Sequence, residues 1–166
     1  MDNFKLNYAI IPLIAIITSL IGKYLVGVNS AWYAKLNRPW FTPADWLFSI
    51  IWQIIFVTNT IAALVIWNQF TSSWVLFFSM ILFALAALLN IAWTYVFFQQ
   101  HQLARSVVIT LVTDCVAWGL FVMSWHYSSL VALLILPYPV WMLFATALTI
   151  AFWLRNRTTI KPTELP

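Results

Sequence analysis

Two polar side chains and four indoles set deep within apolar runs are the groups through which this 166-residue chain could do chemistry. The polar pair is Asn90 and Asp114; the indoles are Trp52, Trp93, Trp118 and Trp141. An ionisable group placed in hydrocarbon is by default a functional-site hypothesis. An indole N–H in hydrocarbon wants an acceptor, so all four rings should point inward, towards other helices or a ligand. A plainer reading stands beside this one: an Asp114–Asn90 hydrogen bond that only ties two helices, worth about 1 kcal/mol, and indoles that only fill a core.

Other chemistries lack their parts. Three glycines, Gly22, Gly27 and Gly119, cannot build a phosphate-cradling loop. The single Cys115 excludes an internal disulfide. His101 and His126 fall at opposite ends of one apolar run, about 30 Å apart, too far to share a metal. The sequence therefore predicts neither a metal site nor a cofactor, and no Ser-His-acid set is present.

The loop from Trp32 to Trp46 is the other informative stretch. It contains Trp32, Tyr33, Trp40, Phe41 and Trp46, the prolines Pro39 and Pro43, and the cations Lys35 and Arg38. Prolines restrict the free loop, so less entropy is lost when it orders over a ligand. Aromatic faces suit a flat apolar ring system, and Lys35 or Arg38 could meet carboxylates on it. The alternative is a loop resting on headgroups with its cations on anionic lipid.

The elements that must position these groups follow from composition. Hydrophobic residues make up 64% of the chain and charged ones 7%, too few to cover the surface of a soluble domain. Thirty aromatic residues exclude disorder. Residues 46–104 and 115–154 carry no Asp, Glu, Lys or Arg, and a helical span needs about 20 apolar residues, so each stretch holds two spans. With the run after Lys5, the expectation is an all-α integral membrane bundle of five transmembrane helices: Tyr8–Val26, Trp46–Trp67, Trp74–Phe98, Ser106–Trp125 and Leu130–Leu154. The apolar runs do not alternate, which argues against a β-barrel. The first run could instead be a secretory signal, but its n-region is weakly basic and no small-x-small cleavage site follows. Trp67, Trp74, Trp125 and Trp153 then sit at span ends, where indoles anchor in the headgroup region. Residues 1–166 read as a single membrane domain, with a lid at 27–45 and a flexible tail at 156–166.

Five spans put the first loop, the third loop and the C-terminus on one side. Lys23, Lys35, Arg38, Arg105, Arg155, Arg157 and Lys161 lie on or near that side, and Lys5 lies opposite. The positive-inside rule makes that side cytoplasmic, with the N-terminus across the membrane. The net charge of +4 thus reads as topology and not as a nucleic-acid footprint. At 1.5 Å per residue, Asp114 and Asn90 both lie about 12 Å below the cytoplasmic face, and Trp52 about 9 Å.

Three stretches carry a resemblance over about Leu20 to Asn156: WYAKLNRPWFTPADW with FSIIWQ, then ALLNIAWTYVFF, then LPYPVWMLFAT. In this order they resemble the translocator protein and tryptophan-rich sensory protein family, the peripheral-type benzodiazepine receptors. The resemblance implies a five-helix bundle, often dimeric, whose first cytoplasmic loop closes a pocket for porphyrins and benzodiazepine-site ligands, and in some members sterols. The matching pocket positions are Tyr33 and Pro43, Trp52, Asn90 and Trp93, Asp114 and Cys115, and Trp141 and Ala145. Some bacterial relatives are associated with light-dependent breakdown of protoporphyrin by two pocket tryptophans, which match Trp52 and Trp141 here.

The chain departs from the pattern in places. The sterol motif keeps Leu148 and Arg155, but Ile150 and Phe152 occupy the region where its Tyr belongs. Thr149 replaces a usual Asn, Ala86 a usual Gln, and Ala44 the second proline of the loop. The favoured expectation is a receptor or carrier that binds tetrapyrroles such as protoporphyrin and limits photo-oxidative stress. The alternatives are a light-dependent porphyrin-degrading enzyme using Trp52 and Trp141, and a sterol or lipid carrier or regulator. Expected partners are the bilayer, the porphyrin and, mainly on the resemblance, a second copy in a homodimer through the third span. The small residues at spacing four, Ala86 with Asn90 and, in the last span, Ala145 with Thr149 and Ala147 with Ala151, would serve equally well within one chain.

Overall fold

The computed structural model describes residues 6–69 and 73–157, and those residues form helices without a strand. The elements are α1 (Asn7–Val28), α2 (Ser30–Ala34), α3 (Asp45–Gln69), α4 (Ser73–Thr94), α5 (Leu103–Trp125), α6 (Ser129–Ile135) and α7 (Pro137–Asn156). A π-helical turn, Tyr95–Gln99, continues α4. Five stretches are long and apolar enough to cross a membrane: Asn7–Val28, Asp45–Gln69, Trp74–Gln99, Leu103–Trp125 and Ser129–Asn156. They match the five expected spans to within a few residues. The part of the expected tail beyond Arg157, and residues 70–72 between the second and third spans, lie outside the described residues.

The last span differs from its expectation in being two helices. Pro137 has no N–H and its ring crowds the preceding turn, so α6 stops at Ile135 and α7 restarts with Pro137 at its first turn, where a missing donor costs nothing. The strand-like Ser128 starts α6 by accepting from the Val131 N–H at 3.4 Å. This broken span is the centre of the bundle, with 44% of its apolar window buried, whereas α1 has 6% and lies at the periphery. α5 packs between α4 and α7, and α3 packs on α6 and α1.

Small residues set the helix spacing. Ala62, Ala63, Ala86, Ala117, Ala132 and Ala145 are all buried, and without bulky side chains at these points the backbones approach closely. Thr18, Thr60, Thr94, Thr110, Thr113 and Thr149 each donate to the carbonyl four residues earlier, so their hydroxyls are satisfied without water. The core has three parts. Ala62, Ile66, Leu120, Val131 and Ile135 fill the end where α5 meets α6. Ile55, Ala86, Ala117, Tyr138, Met142 and Ala145 fill the middle. Phe97, Phe98, Leu103, Leu148 and Phe152 fill the end beneath the first loop.

The π turn shapes that last region. Its wide ring closes with Gln100 N–H on the Tyr95 carbonyl at 3.1 Å, and Phe97 and Phe98 are both buried there. Such turns are frequent at functional sites. Gln99 donates to the Leu25 carbonyl at 2.7 Å and accepts from Asn29 at 2.9 Å, which caps the end of α1 with a side chain 74 residues away. His101 follows with φ +58°, the left-handed region.

Candidate functional site

The sequence-predicted residues gather at the end of the bundle under the first loop, in two tiers. In the deeper tier, Trp52 of α3 and Trp141 of α7 pack against one core cluster that includes Ala145. Trp141 stacks on Phe144 with centroids 5.1 Å apart and meets the edge of Phe48 at the same distance. Trp52 lies 6.0 Å from Phe56. Trp118, also expected inside, is half-buried and stands edge-on to Phe121.

The upper tier is a stack of rings. Trp93 lies parallel to Phe97 at 5.2 Å, and Tyr33 sits against Phe97, Phe98 and Phe152 at 5.4–6.2 Å. Trp32 stacks on His101 at 4.1 Å and meets Phe97 edge-on. Burial holds the His101 imidazole below its ordinary pKa, opposed by a hydrogen bond to the Phe98 backbone. Burial likewise pushes the Tyr33 phenol up, against the pull of the Arg38 guanidinium, which lies 4.5 Å above the Tyr33 ring. Arg38 also pairs with Asp45 at 3.6 Å, so it is already engaged, while Lys35 is exposed. Pro39 is buried in a turn closed by Thr42, and Pro43 is half-buried. Trp40, 88% exposed, reaches only Phe41.

The deep polar residues are not joined to each other, contrary to the simple tie between Asp114 and Asn90. Asn90 donates to the Ala86 carbonyl at 2.8 Å and to the Tyr138 hydroxyl at 3.0 Å. Asp114 accepts from Thr146 at 2.5 Å through one oxygen, and its other oxygen is buried without a partner. Two helix pairs are thus tied, α4 to α7 and α5 to α7. Cys115 is turned away: one residue on from Asp114 is about 100° around the helix, and its side chain is exposed on the outer face of α5. Of the small residues at helix-contact spacing, Ala86 and Ala145 lie in the core, Asn90 bonds Tyr138 and Thr149 is buried, whereas Ala147 is exposed and Ala151 half-buried.

Two features decide what the arrangement can do. The indole nitrogens of Trp93 and Trp141 are buried without a hydrogen-bond partner, so two donors stand ready among aromatic faces. The rings around them are in mutual contact, so a flat ligand enters only by displacing side chains or the loop. A shallow dimple lined by Ile66, Val75, Ser79, Ser124, Tyr127 and Val131 lies at the opposite end and touches none of these residues. Sequence reasoning missed Tyr138, Thr146 and Asn156. The first two lie eight residues apart on α7, on the face that also carries Met142, and that i, i+8 spacing beside the noted Trp141 was the available signal.

These features define a class, a multi-pass helical membrane protein with a cluster of aromatic rings beneath its first loop. The model of the TspO/MBR family matches residues 9–154, and the chain belongs to that family. It is 29% identical over 157 residues to the tryptophan-rich protein TspO of Archaeoglobus fulgidus, covering 94% of this chain and 99% of that one. It is 30% identical to the translocator protein of Bos taurus over 81% of this chain and 80% of the other. It is 30% identical to the tryptophan-rich sensory protein of Cereibacter sphaeroides over 70% and 72%.

Proposed function

We propose that the protein is a membrane receptor or carrier for porphyrins such as protoporphyrin, taken into the aromatic tiers beneath a lid formed by the first loop, and that it limits photo-oxidative stress. The observation that carries this reading is the pair of buried, unpartnered indole N–H groups of Trp93 and Trp141 set among ring faces from the loop, α3, α4 and α7. A flat ring system with peripheral acceptors would stack on those faces and satisfy those donors. The relatives named for sensing and translocation support a sensory or transport role. On the positive-inside count the lid faces the cytoplasm and the N-terminus lies across the membrane. A homodimer would use the outer face of α4, where Phe77, Phe78, Ile81, Leu85 and Leu88 are exposed, and not its buried small residues.

A second reading is favoured by one observation: Trp52 and Trp141 pack against the same core cluster, so one ligand could touch both oxidisable indoles. One experiment tests both readings. Purified protein is titrated with protoporphyrin in darkness, following indole fluorescence, and is then illuminated while absorbance is recorded. Saturable quenching is expected, weakened on the order of tenfold in Trp141→Phe, which keeps the ring and removes the N–H. No binding in the wild type would overturn the porphyrin reading. Specific loss of porphyrin absorbance in light, absent from Trp52→Phe and Trp141→Phe, would replace the receptor with the enzyme.

A further inference from the structure

The first loop between α2 and α3 is tied to the bundle by one side chain. Asn156, the last residue of α7 and 2% exposed, accepts from the Asn37 backbone N–H at 2.9 Å and donates to the Asn37 carbonyl at 3.3 Å. Its amide also donates to the Phe152 carbonyl one turn earlier at 2.9 Å, which fixes which way the carboxamide faces. The side chain thus pairs with both backbone groups of one loop residue, as a neighbouring strand would, across 119 positions of sequence.

The other polar contacts of residues 35–44 stay local. Lys35 and Leu36 bond back to α2, Thr42 closes the Pro39 turn, Arg38 bridges Tyr33 of α2 and Asp45 at the start of α3, and the Ala44 carbonyl accepts from Leu47 and Phe48 in the first turn of α3. These contacts give the loop its shape without attaching it. Among the described residues, the Asn37–Asn156 pairing is the only hydrogen-bonded link from residues 35–44 to a transmembrane helix other than α3, which the loop enters directly. The remaining attachment is apolar, through Leu36 and Phe41, which pack against the cluster containing Phe97, Phe98 and Phe152. Apolar contacts tolerate sliding, whereas a two-point hydrogen bond is either made or broken.

We propose that Asn156 is a positioning residue, a latch whose carboxamide holds the first loop shut over the aromatic site and whose release sets the rate at which a flat aromatic ligand enters and leaves. This rests on the porphyrin reading for the ligand and on the geometry alone for the latch. The chemistry demands Asn: the latch needs a donor and an acceptor on a short arm. Asp keeps the shape but turns the donor into a second acceptor facing two carbonyls, and Ala removes both.

The test uses the full chain and two readouts. In ligand-free protein, amide exchange of residues 35–44 is compared between wild type, Asn156→Ala and Asn156→Asp at pH 7, with Asn37 as the reporter. Exchange in both variants is expected to quicken on the order of tenfold, in Asn156→Ala from the loss of both hydrogen bonds to Asn37, and in Asn156→Asp from the loss of one and the repulsion of a carboxylate by the Asn37 and Phe152 carbonyls. Asp has an ordinary pKa of about 3.9, and once protonated it regains a donor. Corrected for intrinsic exchange, Asn156→Asp should recover protection as pH falls towards that value, while Asn156→Ala does not; a merely structural defect would show no such rescue. The second readout is stopped-flow mixing with protoporphyrin at pH 7, where association and dissociation should both quicken in the variants, with affinity changing less than either rate. Unchanged exchange in both folded variants would overturn the latch. Quickened exchange with unchanged porphyrin rates would overturn the gating. If wild type binds no protoporphyrin, the ligand reading and the gating fall together, and the exchange experiment still decides the latch.

Discussion

The two ends of the bundle are built on different principles. Where α5 meets α6, the core is aliphatic and small: Ala62, Ile66, Leu120, Val131 and Ile135, with Leu120 and Ile135 wholly buried. Beneath the first loop the core is a stack of rings, with two orphaned indole donors and a loop held by one carboxamide. Branched aliphatic side chains interlock and resist displacement. Rings that meet at varied angles, from stacked to edge-on, present separable faces between which a flat molecule can insert. One end therefore has the build of a scaffold and the other that of the proposed site, within one set of helices.

The comparison makes predictions that differ in size. Leu120→Ala removes a side chain with no exposure from the scaffold end and should cost about 2–5 kcal/mol. A thermal melt in detergent checks this, and protoporphyrin affinity in the protein that remains folded should be unchanged. Loss of binding without loss of stability would erase the division between the two ends. Thr146→Val keeps shape but strips the Asp114 carboxyl of its donor, for about 1–3 kcal/mol of stability. Double replacement with Asp114→Leu should restore most of that loss, since neither polar group is then stranded.

The smallest expected effect is a pH dependence at the loop end. His101 is held below its ordinary pKa by burial under Trp32, so the packed arrangement prefers the neutral imidazole. A depressed His pKa contributes full stability above the unpacked value of about 6.5 and loses it as pH falls through that value towards the packed one. Amide exchange of residues 30–34 should quicken below about pH 6.5 and stay flat in His101→Phe, which keeps a ring without the titration. Equal acid sensitivity in both proteins would place the titrating group elsewhere.

Much of the site was legible because it lies on helices whose ends the sequence marks. Long charge-free runs fix the number of spans, since hydrocarbon excludes charge and a helix needs about 20 residues to cross it. That count alone brings Trp52, Asn90 and Asp114 to similar depth, with Trp93 shallower and Trp141 near mid-membrane. The break at Pro137 was legible in principle, yet a proline in a span can either kink or divide it, and packing chose between those.

Depth along a helix is set by local rise, and the sequence contains it. Rotation about the helix axis and the choice of partner are set by neighbours distant in the chain. Asp114 and Cys115 are adjacent and equally deep, but packing of α5 against α7 buries the first and leaves the second outside. Asn90 and Asp114 shared a depth and could have bonded; α7 stands between their choices and offers Tyr138 to one and Thr146 to the other. The pairing of Asn156 with Asn37 joins a helix end to a loop through backbone groups that every residue carries. No residue type announces such a bond, so the sequence determined the spans, their order and the depth of the site, and only the tertiary structure decided which side chains meet there.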